Sequence, residues 1–80
     1  MYTVYALRSE VAKRIYVGFT SDLERRLEEH NAGKTKSTKG FTPWKLIYKE
    51  EVESRALARK REKYWKSGIG KEKLKTLFTH

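Results

Sequence analysis

Two tyrosines, a pair of arginines, a histidine and a glutamate are the residues of this chain with most chemistry to offer. Tyr5 lies in "YTVYAL" and Tyr16 in "RIYVG". Both segments are rich in β-branched and aromatic residues and predict adjacent strands. Such strands would aim two phenol hydroxyls into one space, although strand tyrosines also serve as amphipathic core filling. Arg25 and Arg26 follow in "DLERRLEEH". A guanidinium fork is shaped to clamp a phosphate. As solvated helix charges, the two would instead pair with Glu28 or Glu29. His30 closes the same segment, where a cationic ring suits the negative end of a helix dipole.

Glu62 is the sharpest local anomaly. At about 100° per residue, Ala58, Glu62, Trp65 and Ile69 fall on one narrow arc of a helix. Three of these are apolar, so the carboxylate is carried toward the core. Burying an unpaired carboxylate is costly, and a partner is required. Arg59 or Lys66 at the helix edge would provide one. A metal ion is the other candidate, because one hard carboxylate completed by waters and a substrate phosphate is a normal site for Mg²⁺.

The elements that must position these side chains can be read from periodicity. "YTVYAL" and "RIYVG", joined by the polar "RSEVAK", predict an antiparallel hairpin. "SDLERRLEEHNAGK" predicts a helix. Ser21 and Glu24 have the spacing of a capping box, Leu23 and Leu27 mark the buried stripe, and Gly33 is the terminator. "WKLIYKEEV" predicts a third strand with Trp44, Leu46 and either Ile47 or Tyr48 facing inward. Ser54 caps a second helix over 55–67 that Gly68 ends. Leu74, Leu77 and Phe78 have helical spacing in a short third helix. The order is β-β-α-β-α-α, an α+β fold with a three-stranded antiparallel sheet flanked by helices.

Composition narrows the function classes. A chain of 80 residues predicts one domain over 1–80. With no cysteine, a disulfide framework and a zinc–thiolate site are both excluded. The short apolar start reads as a strand, so no secretory signal is expected, and no run approaches the roughly 20 apolar residues of a spanning helix. A soluble cytoplasmic protein without a membrane partner is expected. Lys and Arg number 19 against 10 acidic residues, for a net charge of +9. Such a field draws polyanions, and nucleic acid is the leading partner. The loop "KTKSTKGFTP" lacks the P-loop pattern, so nucleotide hydrolysis is not supported. Its Lys34, Lys36 and Lys39, with Arg25, are candidates for backbone contacts to a nucleic acid.

The ordered set resembles the GIY-YIG nuclease superfamily, specifically its small single-domain members, which are similar to the excinuclease nuclease domain. The first motif stands here as "TVY" (Thr3 to Tyr5) and the second as "YVG" (Tyr16 to Gly18). Thr3 and Val4 replace the glycine and isoleucine of the first motif. The arginine on the first helix matches Arg26 better than Arg25, and the metal-binding glutamate matches Glu62 in "ALARKREKYWKS". The resemblance runs from Tyr2 to about Ile69. It implies Mg²⁺-dependent (or Mn²⁺-dependent) cleavage of DNA phosphodiesters by water. In that scheme Glu62 holds the metal, Arg26 stabilises the phosphate, Tyr16 with Tyr5 positions or deprotonates the water, and His30 assists proton transfer or orients a tyrosine. A tyrosine base needs a cationic neighbour to lower its pKa from about 10, and Arg26 is the expected one. The alternatives are a non-catalytic nucleic-acid-binding module of the same fold and a scaffold for protein partners.

Overall fold

In the computed structural model, which describes residues 1–77, three runs of β-branched and aromatic residues pair into one antiparallel sheet. They are β1 (Tyr2–Ser9), β2 (Ile15–Thr20) and β3 (Trp44–Val52), with β1 in the centre and order β2-β1-β3. The helices are α1 (Leu23–Asn31), α2 (Arg55–Lys66) and α3 (Gly68–Thr76), and a 3-10 turn spans Lys39–Phe41. The β-β-α-β-α-α order is the one expected. Among the described residues no helix is long and apolar enough to cross a membrane.

Strand alternation divides the core in two. Val4, Ala6 and Val17 face α2 and α3, packing with Ala58, Trp65 and Leu74. Tyr5, Leu7 and Trp44 face the other way, with Tyr16, Leu23, Leu27, Phe41 and Leu46 around them. The chemistry-bearing tyrosines thus lie on the α1 side. Register sets Tyr5 opposite Gly18 and Leu7 opposite Tyr16. A β-bulge lies between the Ala6–Tyr48 and Leu7–Leu46 pairs, leaving Ile47 as the extra residue. It changes the phase of β3: Trp44 and Leu46 pack on the α1 side, whereas Ile47 and Tyr48 both pack on the α2 side. The two alternatives the alternation left open are therefore both inward.

Local chemistry moves several boundaries. Asp22, not Ser21, caps α1, its carboxylate accepting from the Arg25 N–H at 3.2 Å. The reason lies in the preceding turn. β2 runs on to Thr20, whose hydroxyl accepts the Asp22 N–H at 3.1 Å, so Ser21 is spent on the connection. Gly33 does end α1 as expected, with φ of 75° and its N–H on the His30 carbonyl. Ser54 caps α2 through the Leu57 N–H. Ser67 then does two things. Its extended backbone ends α2, and its hydroxyl accepts from the Gly70 N–H to cap α3. Gly68 is consequently the first residue of α3 rather than the terminator of α2. The break swings Ile69 out of the arc shared by Ala58 and Trp65, leaving it 69% exposed. Leu74 is buried but Leu77 is exposed, and Phe78 lies outside the described residues. Gly70 lets the helices meet, since a Cβ there would stand 2.6 Å from the Trp65 Cα.

A second network locks β3 to α2. The Glu50 carboxylate accepts from Arg61 through two nitrogens, from the Tyr48 hydroxyl at 2.6 Å and from the Trp65 indole at 3.2 Å. With these donors its pKa falls to about 2, the Arg61 hydrogen bonds being the largest cause.

Candidate active site

The site begins at Gly18. With no side chain there, the Tyr5 ring folds over the β2 backbone: a Cβ would lie 3.0 Å from the Tyr5 hydroxyl and from the Tyr16 ring. The two tyrosine rings are 6.2 Å apart between centroids. From α1, His30 stands against both, 4.7 Å from the Tyr16 ring and 5.9 Å from that of Tyr5. Its Nε2 is 3.0 Å from the Tyr5 hydroxyl. One turn earlier on α1, Arg26 bonds Glu29 at 3.0 Å and interacts with both tyrosine hydroxyls. Four of the five expected catalytic residues are thereby brought together by β1, β2 and α1.

Their electrostatics differ from the expectation in two ways. The Tyr5 pKa is pushed up to about 12, with burial as the largest cause and Tyr16 the next. Arg26 acts in the lowering direction but does not overcome burial, so Tyr5 keeps its proton at neutral pH. His30 is fully buried, and its pKa is lowered by burial and then by Arg26. It is a neutral imidazole rather than a cation at the end of the helix dipole.

Glu62 approaches from α2, the helix on the opposite side of the sheet. Its side chain is 20% exposed and pairs with Lys66 at 3.3 Å, one of the two cations that the sequence offered. Its charge still acts on the Tyr5 hydroxyl. No group of three or more His, Cys, Asp or Glu able to hold a metal occurs among the described residues. A metal site here would rest on the single carboxylate, with water and phosphate oxygens completing the shell. That suits Mg²⁺, which retains several waters, better than an all-protein cage.

The nucleic-acid candidates are less tightly grouped. Arg25 is 77% exposed and pairs with Glu29 at 3.3 Å. Lys34, Lys36 and Lys39 are exposed on the loop that follows α1. That loop and the end of α1 hold what the sequence did not reveal. Thr38 is fully buried, and its Oγ1 lies 2.9 Å from the His30 Nδ1. Asn31 clamps the Trp44 backbone, its Oδ1 accepting the N–H at 2.6 Å and its Nδ2 donating to the carbonyl at 3.2 Å. Neither residue carries a periodic signal; the proximity of hydroxyls to a histidine in "HNAGKTKST" was the only cue.

With this geometry in view, comparison with known proteins is decisive. The profile of the GIY-YIG catalytic domain matches residues 1–75. The chain belongs to the GIY-YIG family. A UPF0213 protein of Haloquadratum walsbyi is 46% identical over 54 residues, which span 66% of this chain and 61% of that protein. The structure-specific endonuclease subunit SLX1 of Homo sapiens is 37% identical over 51 residues, 59% of this chain but 18% of that protein. The match thus covers less than two thirds of either relative. The solution NMR structure of a UPF0213 protein from Bacillus halodurans aligns with a TM-score of 0.56 at 33% identity, covering 98% of this chain and 86% of that one. The GIY-YIG fold seen here and its place in a nuclease family therefore agree.

Proposed function

We propose that this GIY-YIG protein is a metal-dependent endonuclease that hydrolyses DNA phosphodiester bonds with a water nucleophile, and that residues 1–80 act as one catalytic domain. The observation that carries the reading is the convergence of Tyr5, Tyr16, Arg26 and His30, with the Glu62 charge acting on Tyr5. Processing or repair of DNA is the setting we infer from the family.

The Arg26 guanidinium is a fixed positive charge for the scissile phosphate, where charge grows in the transition state. Tyr16, more open to solvent than Tyr5, orients the attacking water. As the water oxygen bonds to phosphorus and the bond from phosphorus to the leaving sugar oxygen breaks, a water proton passes to the Tyr5 oxygen while the Tyr5 proton moves to the His30 Nε2, and the leaving oxygen takes a proton from solvent. Glu29, whose charge favours protonated His30, steadies the imidazolium that results. Magnesium or manganese bound at Glu62 would supply Lewis acidity to the phosphate and the leaving oxygen. Glu62 is already held near Lys66 and needs only to exchange that partner.

Supercoiled, linear and branched DNA, incubated with and without Mg²⁺ or Mn²⁺, tests the reading. Metal-dependent nicking is expected, with a loss of at least about a hundredfold in Glu62→Ala and Arg26→Ala. Salt-sensitive binding without cleavage on every substrate would replace it with the non-catalytic module. The Glu62–Lys66 ion pair is the observation that favours that second reading.

A further inference from the structure

Thr38 sits at the N-cap of the 3-10 turn, yet its side chain makes no capping hydrogen bond. A threonine in that place ordinarily offers its oxygen to a backbone N–H of the turn. Here the hydroxyl is turned inward to the His30 Nδ1, at 2.9 Å. It also donates to the Thr35 carbonyl at 3.4 Å. A hydroxyl has one hydrogen and two lone pairs. With its hydrogen directed to Thr35, Thr38 would accept from His30, and the imidazole proton would then sit on Nδ1.

We propose that Thr38 is a positioning residue: its hydroxyl fixes His30 as the Nδ1–H tautomer and so turns an unprotonated Nε2 toward the Tyr5 hydroxyl. The result is a chain of bonds with one direction. Tyr5 donates to His30, His30 to Thr38, and Thr38 to the Thr35 carbonyl. Without the Thr38 hydroxyl the Nε2–H tautomer becomes accessible, and it would point a donor at the oxygen that must release its proton.

The frame that holds Thr38 is built for the purpose. Its carbonyl accepts the Trp44 indole N–H at 2.9 Å, and its own N–H donates to Thr35 at 3.0 Å. Trp44 is in turn clamped by Asn31, the neighbour of His30 on α1. The loop that displays Lys34, Lys36 and Lys39 is thus tied to the imidazole through one buried hydroxyl. A side chain wanted only for volume could equally be valine at this position.

The effect on rate rests on the nuclease reading, whereas the tautomer does not, and the experiment separates them. Long-range ¹H–¹⁵N correlation NMR of the protein reports which His30 nitrogen carries the proton. The expected pattern is Nδ1–H in the wild type and in Thr38→Ser, with Nε2–H gaining population in Thr38→Val. In DNA cleavage, Thr38→Val should lose about tenfold or more in kcat with little change in KM, and Thr38→Ser should restore it. A wild-type His30 found as Nε2–H overturns the proposal even if the valine variant fails to fold. So does an unchanged Nδ1–H tautomer in a folded Thr38→Val. If no variant cuts DNA but the tautomer follows Thr38, the positioning role stands and the nuclease reading falls.

Discussion

A phenol buried against a neutral imidazole and a guanidinium has somewhere to send its proton and little reason to lose it at rest. That describes Tyr5, whose pKa of about 12 would make it a poor stand-alone base at neutral pH. In the proposed reaction coupled transfer resolves the difficulty, because the Tyr5 oxygen need never carry a full negative charge while the His30 Nε2 stands 3.0 Å away. Tyr5→Phe separates this role from packing. The ring contacts with Tyr16 and His30 persist, and only the hydroxyl is lost. Removing it leaves the buried His30 Nε2 without its donor, at a cost of about 1–3 kcal/mol in urea unfolding. The cleavage rate at saturating DNA should fall by about a hundredfold. A phenylalanine variant that cuts at the wild-type rate would rule out transfer through Tyr5.

Among the elements, the joint between β3 and α2 shows how a carboxylate can be buried for structure rather than for catalysis. Glu50 is 16% exposed in its side chain and shares its oxygens among Arg61, Tyr48 and Trp65. Its pKa of about 2 in the fold lies below the ordinary carboxylate value of 4.5. The folded state therefore binds the proton less readily than the unfolded state. The stabilisation is complete above about pH 4.5 and is lost as the pH falls toward 2. Arg61 is partly exposed, so solvent screening reduces the gain to roughly 2 kcal/mol. Urea unfolding of the wild type and Glu50→Gln at pH 7, 4 and 3 should show their difference shrinking with acid. A constant gap across that range would mean that Glu50 acts through shape and not charge. The same elements mark where the sequence was legible. Strand and helix order followed from local periodicity, and the resemblance to the GIY-YIG pattern singled out Tyr5, Tyr16, Arg26 and His30, which the fold brings together. Thr38 could not be, since its meaning depends on how a loop without periodicity folds back onto α1. The Ile47 bulge breaks the alternation that strand reading relies on. The double duty of Ser67 requires knowing that two helices meet there, which a capping pattern read for one helix does not reveal.

At the scale of the whole molecule, a net charge of +9 must be reconciled with a site that holds few cations of its own. Arg26 is the cation set among the tyrosines, while Lys34, Lys36 and Lys39 stand exposed on the loop that Thr38 anchors. This division suggests two separable contributions: general attraction of the phosphate backbone by the loop, and charge stabilisation at one phosphate by Arg26. Counterion release makes the first measurable, because each phosphate neutralised on duplex DNA adds about 0.9 to the slope of log K against log salt. Replacing all three lysines by alanine should weaken duplex binding and flatten that slope by up to about 2.7, read by fluorescence anisotropy between about 50 and 200 mM salt. Arg26→Ala should change the slope by no more than about one phosphate's worth while abolishing cleavage. If the lysine variant keeps the wild-type slope, DNA is not held by this loop. The exposed cations of α2, Arg59, Lys60 and Lys63, would then be the surface to which the duplex is drawn.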